Sequence, residues 1–534
     1  MSVGKTIKKY FLHHPFKIFL VIGVIILVTI LALLPAQILK YIIDEVILKK
    51  KLNIILKVSS LYFLSYFLVG IITFFKDFLM LKTSQEMLGD LRCDMMKHYQ
   101  NINYNTIVNN DSGTFEAYFN NDVNSINELF TSGVVDMATD LFKMFGILIS
   151  LFVFSYKFGI LVLCVLPFLI IFTSFIRKRM LKVQLKTKGL EGNVNKILLE
   201  NVENIEEIKI CKSGLYAASK YDKILSNHFR ASQRSNFYDA IFSPFMQIVK
   251  SLVIVFVLII SGYNASIFGM SPGMIIASIS LVTDLFMPIE NLGMEIQTIQ
   301  KSFASVKRIN GFLAFEEMPK KEHIKINDNI IEFKDVSFSY DKNEVISDFN
   351  LKISGGEKLV LMGPSGSGKS TIMKLAMGIL NPTKGSVTIG DASIFMIDEA
   401  MRKELFAIVY QNPFFSGESI YNEMALNDNK ISKEAVKEAL GLVGLGYIDN
   451  LDMVLNPKEY SLGELSLFNI ARVIVRNPKV IFLDEMNAKI DPITSKQIIE
   501  VINKISKDKI VISINHYALN LENAKILKIG ANYK

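Results

Sequence analysis

Gly363-Pro364-Ser365-Gly366-Ser367-Gly368-Lys369-Ser370-Thr371 is the stretch that decides how this chain folds. It fits the spacing G-x-x-x-x-G-K-[ST] and stands between an apolar run at 359–362 and a helix-permissive run at 372–379. The glycines let successive backbone N–H groups curl around phosphate oxygens, and the N-terminus of the following helix adds positive potential. Lys369 is placed to reach β- and γ-phosphates, and the Ser370 hydroxyl to ligate Mg²⁺. A strand, loop and helix in this order predict a nucleoside triphosphate site in an α/β domain.

A second stretch supports it. Val480-Ile481-Phe482-Leu483 predicts a buried parallel strand. Asp484 and Glu485 follow at its C-terminal end, where open α/β sheets bind ligands. Asp484 is expected to hold Mg²⁺ through water, and Glu485 to orient or deprotonate an attacking water.

Outside this region the chain changes character. Its 534 residues call for at least two domains. Half of them are hydrophobic and the mean hydropathy is +0.33, which favours a membrane protein. A helix needs about 20 apolar residues to cross a bilayer. Six segments qualify, at 17–39, 55–75, 134–155, 158–176, 244–262 and 272–292. The first follows a basic N-terminus, is too long for a cleaved signal peptide and lacks a small-residue cleavage site, so it reads as a retained span. The net charge of +8 is spread between the apolar runs and not gathered with aromatics into patches, which argues against a nucleic-acid partner. Three cysteines, Cys93, Cys164 and Cys211, lie far apart and imply neither a disulfide framework nor a metal site.

Short loops join spans one to two, three to four and five to six. Long polar stretches, 76–133 and 177–243, join the others. The second opens on Arg177-Lys178-Arg179, whereas the loop 263–271 has no Lys or Arg. The charge rule therefore places both long stretches, the N-terminus and the α/β domain in the cytoplasm, against the single dissent of Lys49-Lys50-Lys51. The long stretches predict helical hairpins that continue the spans, turning at 109–113 and 212–214. A charged, helix-permissive segment at 295–328 reads as a linker helix, and the α/β pattern starts at Ile330. The expected division is a membrane domain at 1–310, a linker at 311–329 and a nucleotide-binding domain at 330–534.

With these motifs in place the chain resembles an exporter-type ABC half-transporter, from about residue 10 to its end. The resemblance implies a membrane α-helical bundle of six transmembrane helices with long cytoplasmic extensions. An α/β P-loop NTPase domain of ABC type follows it. Tyr340 matches the family's adenine-stacking aromatic. Gln411, in Tyr410-Gln411-Asn412-Pro413, matches the glutamine loop between Mg²⁺ and the membrane domain. Ser461 and Gly463, in Tyr460-Ser461-Leu462-Gly463-Glu464, match the signature. Asp491 closes the loop after the second motif, and His516 matches the switch histidine at the γ-phosphate. In the membrane half, Asp44-Glu45-Val46, Asn121-Asp122-Val123, Pro288 and Lys307-Arg308-Ile309 also resemble the family. The implied cofactors are ATP and Mg²⁺. Catalysis falls to Glu485, His516 and Gln411. The loop residues Gly363, Ser365, Gly366, Ser367, Gly368, Lys369, Ser370 and Thr371 bind the nucleotide, and Ser370, Gln411 and Asp484 hold the metal.

The chain departs from the family at the signature. Leu462 replaces a glycine and Glu464 adds a negative charge, and both weaken the expected closure on the opposite ATP. The segment 454–459 lacks a usual glycine, and the stretch after His516 is short. An intact Glu485 beside an altered signature suits a heterodimer with a second half-transporter, and a homodimer with two weakened sites is the rival. Ionisable residues within spans mark candidate substrate contacts: Asp140 and Lys143 in the third, Lys250 in the fifth, Asp284 in the sixth. A mixed-charge cavity suits an exported peptide, amphipathic drug or lipid. The alternatives are an importer on the same fold and an ATP-sensing membrane subunit that transports nothing.

Overall fold

The computed structural model describes residues 2–530, apart from 264–269, 320–322, 324–325, 327, 341–342, 486–491 and 516–520. Two compact units account for the chain, one made of residues 1–100 and 111–315, the other of 101–110 and 316–534.

The first unit is helical. Helix α1 (Val3–His13) is capped by the Ser2 side chain, and α2 (Pro15–Tyr41) begins on a proline whose missing N–H costs nothing there. Then come α3 (Ile55–Asn101), the short α4 (Tyr104–Val108), α5 (Val134–Phe154), α6 (Tyr156–Glu203), the short α7 (Ile205–Ile210), α8 (Gly214–Tyr263) and α9 (Pro272–Phe312). Short α- and π-type turns fill 112–133. Six helical stretches among the described residues are long and apolar enough to cross a membrane, with mean hydropathy from 1.5 to 3.1.

Helices of 47, 48 and 50 residues far exceed the roughly 20 that a bilayer core needs, so α3, α6 and α8 carry the chain well past it. The expected turns near 109–113 and 212–214 are present. Further breaks at Ile102–Asn103 and Asn204 isolate α4 and α7 at the hairpin tips. The Asn103 side chain accepts from the Asn105 N–H, 3.1 Å away, and starts α4. The helix expected over 295–328 is instead the end of α9, which stops at Phe312 after Gly311.

Long-range polar contacts lock the helices together. Asp44 accepts from the Ser271 hydroxyl and, at 2.8 Å, from the Gly273 N–H, a carboxylate at the positive end of α9. A Cβ at Gly273 would run into Asp44, so the close approach requires glycine. Arg308 Nε lies 3.0 and 3.1 Å from the two oxygens of Asp122, which is buried. The first hairpin thereby joins the exit of the sixth span.

The second unit has two sheets. One is antiparallel, in the order β2-β1-β4-β5: β1 is Ile330–Tyr340, β2 Asn343–Ser354, β4 Lys384–Ile389 and β5 Ala392–Ser393. The other is parallel, in the order β6-β7-β8-β3-β9: β3 is Lys358–Met362, β6 Phe406–Val409, β7 Val480–Asp484, β8 Ile510–Ile514 and β9 Ala524–Lys528. The apolar runs read as buried strands are β3, β7 and β8. Their alternating side chains feed two cores: Leu359, Leu361 and Phe482 face one, Val360, Ile481 and Leu483 the other. Three helices matter below: α10 (Lys369–Ala376), α11 (Ile420–Ala425) and α12 (Leu462–Arg476).

Candidate nucleotide site

The phosphate loop leaves β3 at Met362 and enters α10 at Lys369. Gly366 and Gly368 have φ of +80° and +94°, which L side chains avoid. A Cβ at Gly363 would strike the Ile529 carbonyl and stand 2.9 Å from Ser367 Oγ. Lys369 is buried, its Nζ donating to the carbonyls of Gly363 at 2.9 Å and Pro364 at 2.8 Å. The ammonium thus lies within the curl. Ser367 Oγ is buried with no hydrogen-bond partner among the described residues, which leaves a donor for a phosphate oxygen. Ser365 and Ser370 are exposed, and Thr371 is buried beneath the loop. These residues fit a triphosphate.

Asp484 ends β7, separated from β3 in the sheet by β8 alone. Burial pushes its carboxyl above the usual range, and the charge of Glu485 adds to this. A divalent cation reverses both effects, so Asp484 and the exposed Ser370 hydroxyl suit Mg²⁺. Glu485 has a φ of +43°, and its N–H donates to the Ile514 carbonyl at 3.1 Å. Tyr340 ends β1, with its ring edge-on to Phe338 at 4.8 Å. Asp491 and His516 lie outside the described residues.

Gln411 follows β6, and burial pushes the hydroxyl of its neighbour Tyr410 up, with Tyr104 and then Asp484 adding to this. Tyr104 belongs to α4, the tip of the first hairpin, which is part of this unit. It packs on the sheet core, and Lys374 of α10 stands 5.2 Å over its ring. The tip is held to the chain after α9 by backbone bonds: Met318 N–H to Asn101 at 2.7 Å and Asn103 N–H to Glu316 at 3.1 Å. One hairpin tip therefore touches the helix of the phosphate loop.

At the signature, Ser461 caps α12. Its N–H and hydroxyl donate to Glu464 Oε2 at 2.8 and 2.9 Å, and the Glu464 N–H donates back to Ser461 Oγ at 3.2 Å. Tyr447 donates to the other Glu464 oxygen at 3.3 Å. The Ser461 N–H, foremost, holds the Glu464 carboxyl below the usual range, so it is charged at neutral pH. Leu462 is half exposed.

Sequence reading missed one pair. Glu423 on α11 is buried and accepts from the Ser416 N–H and hydroxyl, both at 2.6 Å, and from Arg472 of α12 at 3.0 Å. Arg472 also donates to the Glu423 carbonyl at 2.8 Å and covers the Phe415 ring at 4.8 Å. The only hint in the sequence is a basic residue on the apolar side of an amphipathic helix.

In the helical unit, Asp140 is buried and accepts from Asn291 at 3.0 Å, while Asp136 pairs with Lys76 at 3.3 Å. Asp284 is half buried on α9, and Lys143 and Lys250 stand on α5 and α8. Of the four ionisable residues singled out in the spans, Asp140 is thus bound to Asn291.

Residues 18–289 match the ABC transporter transmembrane region, and residues 346–488 match the ABC transporter domain. The chain belongs to the ABC transporter family. It is similar to a putative ABC transporter ATP-binding protein of Streptococcus pneumoniae, at 24% identity across 99% of this chain and 92% of that protein. An ATP-dependent lipid A-core flippase of Desulfotalea psychrophila is 22% identical across 98% of this chain and 94% of its own length. The fold matches an ATP-bound bacterial Atm1-family ABC exporter with a TM-score of 0.80, at 17% identity, covering 97% of this chain and 93% of that one. This ABC transporter chain is an exporter-type half-transporter, a six-span membrane domain fused to one ATPase domain, and its ATP hydrolysis drives transport.

Proposed function

We propose that this ABC half-transporter lies in the cell membrane with its N-terminus and ATPase domain in the cytoplasm, and exports an amphipathic, lipid-like molecule as one half of a heterodimer. The cap between Ser461 and Glu464 carries the dimer reading. In an ABC dimer the signature of one chain completes the ATP site on the phosphate loop of the other. Here the signature donors are taken by a charged carboxylate, whereas the chain's own loop, Asp484 and Glu485 are intact. The ATP on this loop then depends on a partner with an open signature, and hydrolysis runs mainly there.

In that cycle Lys369 and the loop N–H groups hold the phosphates, and Ser370, Gln411 and Asp484 hold Mg²⁺, which neutralises developing charge on the transferred phosphoryl group. Glu485 takes the proton of the attacking water, His516 contacts the γ-phosphate, and Asp491 closes the loop. Tyr340 stacks on adenine, and Ser461 and Gly463 face the partner's nucleotide. Closure pulls on Gln411 and, through Tyr104, on the first hairpin. A lipid-like cargo is supported by the flippases among the relatives and by spans that carry ionisable residues of both signs, Asp284, Lys143 and Lys250, for a polar head. Peptides and amphipathic drugs meet the same chemistry.

The test is to purify the chain alone and together with its natural partner. Low ATPase activity alone and lipid-stimulated activity with the partner is the expected result. Robust, substrate-stimulated turnover by the purified homodimer would overturn the heterodimer.

A further inference from the structure

Beside α1 the helical unit contains a pocket of about 320 Å³ that the transport cycle does not use. Its walls come from four helices and the turn before α5, with Phe11 on α1, Ile18 and Ile25 on α2, Met87 on α3, and Ala138 and Phe142 on α5. Thr83 and Ser84 are its polar members, and the Ser84 hydroxyl is bonded to Asn127. A cavity lined this way excludes water and takes an apolar occupant. Its volume is at the lower end of ligand pockets, roughly 300–1,000 Å³, enough for one chain and too small for a whole two-chain lipid.

The surroundings say which apolar occupant. Phe16 and Phe19, on the same helix as Ile18, point outward and are about four-fifths exposed, as are Leu12 and Phe142 in part. In a chain with six membrane spans such a surface meets hydrocarbon. Helix α1 turns Val3 and Tyr10 inward and leaves Lys5, Lys8 and Lys9 exposed. No acidic residue occurs before Asp44; on α3, facing α1, Glu86 is bonded to Lys17 and Tyr10, Asp94 accepts from Thr6, and Asp90 lies beside Lys9 and Tyr10. Those carboxylates lie on the inner side of α1, and its outer face presents the three exposed lysines.

We infer that this pocket binds one acyl chain of an anionic phospholipid from the leaflet on the N-terminal side, with its headgroup against the lysines of α1. The inference rests on membrane insertion alone and not on the direction of transport or the identity of the cargo. The lipid wedges α1 and α2 against α3 and α5, the helices that carry Lys76 and Asp136.

The experiment uses the full chain in nanodiscs, with a trace of phosphatidylglycerol or phosphatidylcholine carrying a photoreactive group in mid-chain. The expected label falls on peptides containing Ile18 to Ile25 and Phe130 to Phe142. The phosphatidylglycerol probe should give roughly fivefold more label, the effect of about one lysine at an anionic headgroup. Ala138→Phe, which fills the pocket, should abolish the label. Lys8→Gln with Lys9→Gln should remove the preference between probes and keep the position of the label. Where Ala138→Phe does not elute as folded protein, Ala138→Leu replaces it and should reduce the label. Equal labelling by both probes, unchanged by filling the pocket, would mark ordinary boundary lipid and overturn the site.

Discussion

Arg472 Nη2 lies 3.0 Å from Glu423 Oε2, with both side chains largely buried, and this pair ties the helix of the signature to the segment that follows Gln411. Glu423 also closes the turn at Ser416, so a single carboxylate fixes the chain after the glutamine loop and receives the guanidinium from α12.

Removing one member of a buried ion pair leaves the other charged and unpaired, a cost of about 3–5 kcal/mol. Arg472→Ala should lower the unfolding temperature of the ATPase domain sharply in calorimetry. Glu423→Gln keeps acceptor capacity for Ser416 and should cost less. Equal, small shifts for both variants would count against the pair as a linchpin.

Glu485→Gln tests the catalytic assignment. The amide cannot take a proton from water, and general-base contributions are about 10²–10⁴-fold. ATP affinity should stay within twofold while turnover falls by at least about a hundredfold. Both are read from nucleotide binding and phosphate release on the same preparation, and unchanged turnover removes Glu485 from its role.

The Ser461 cap gives a prediction with a sign in pH. The Ser461 N–H lowers the Glu464 carboxyl, so the charged cap is fully present above the ordinary carboxylate value and is lost only as pH falls through the lowered one. Acidifying from pH 7.5 to 6 therefore leaves the signature blocked. Glu464→Gln removes the charge and keeps the capping geometry. Two unit charges 4 Å apart in water repel by about 1 kcal/mol, so the variant should tighten ATP-driven pairing by about fivefold, measured by sedimentation of the partnered complex. A wild-type gain on mild acidification equal to that of the variant would contradict this account.

Local signals and long-range ones were unequally legible. The phosphate loop could be read because its glycines answer a backbone requirement within nine residues, as the positive φ of Gly366 and Gly368 attests. The spans could be read because a bilayer imposes length and apolarity on each helix separately. Pairings such as Arg308 with Asp122 or Glu423 with Arg472 depend on which helices meet, and no local pattern encodes that. Asp140 illustrates the difference: its helical spacing with Asp136 and Lys143 marks a polar face, but only packing assigns it Asn291. The ends of helices were blurred for a similar reason. The charged residues after 292 suit any exposed helix, so periodicity alone did not separate a linker from the end of α9. The residues 101–110 carry only a turn signature of their own, but the family resemblance implies that the hairpin tips touch the nucleotide-binding domain, and these residues do cluster with the ATPase unit.

Tyr104 is the residue through which that clustering becomes mechanical. Its ring packs on the sheet core and lies under Lys374, on the helix that begins at the phosphate loop. A cation over an aromatic face contributes about 0.5–1 kcal/mol when exposed and the ring's burial adds more, so Tyr104→Ala weakens the contact without touching the nucleotide. ATP affinity and basal turnover should stay within about twofold, since a loss of 0.5 kcal/mol corresponds to little more than that. The response of the spans should not survive. Hydrogen exchange along 134–154 should change on ATP binding in the wild type and stay flat in Tyr104→Ala. Tyr104→Phe keeps the ring and should restore the response. A full ATP response in the alanine variant would place the transmission elsewhere, with Gln411 the remaining route.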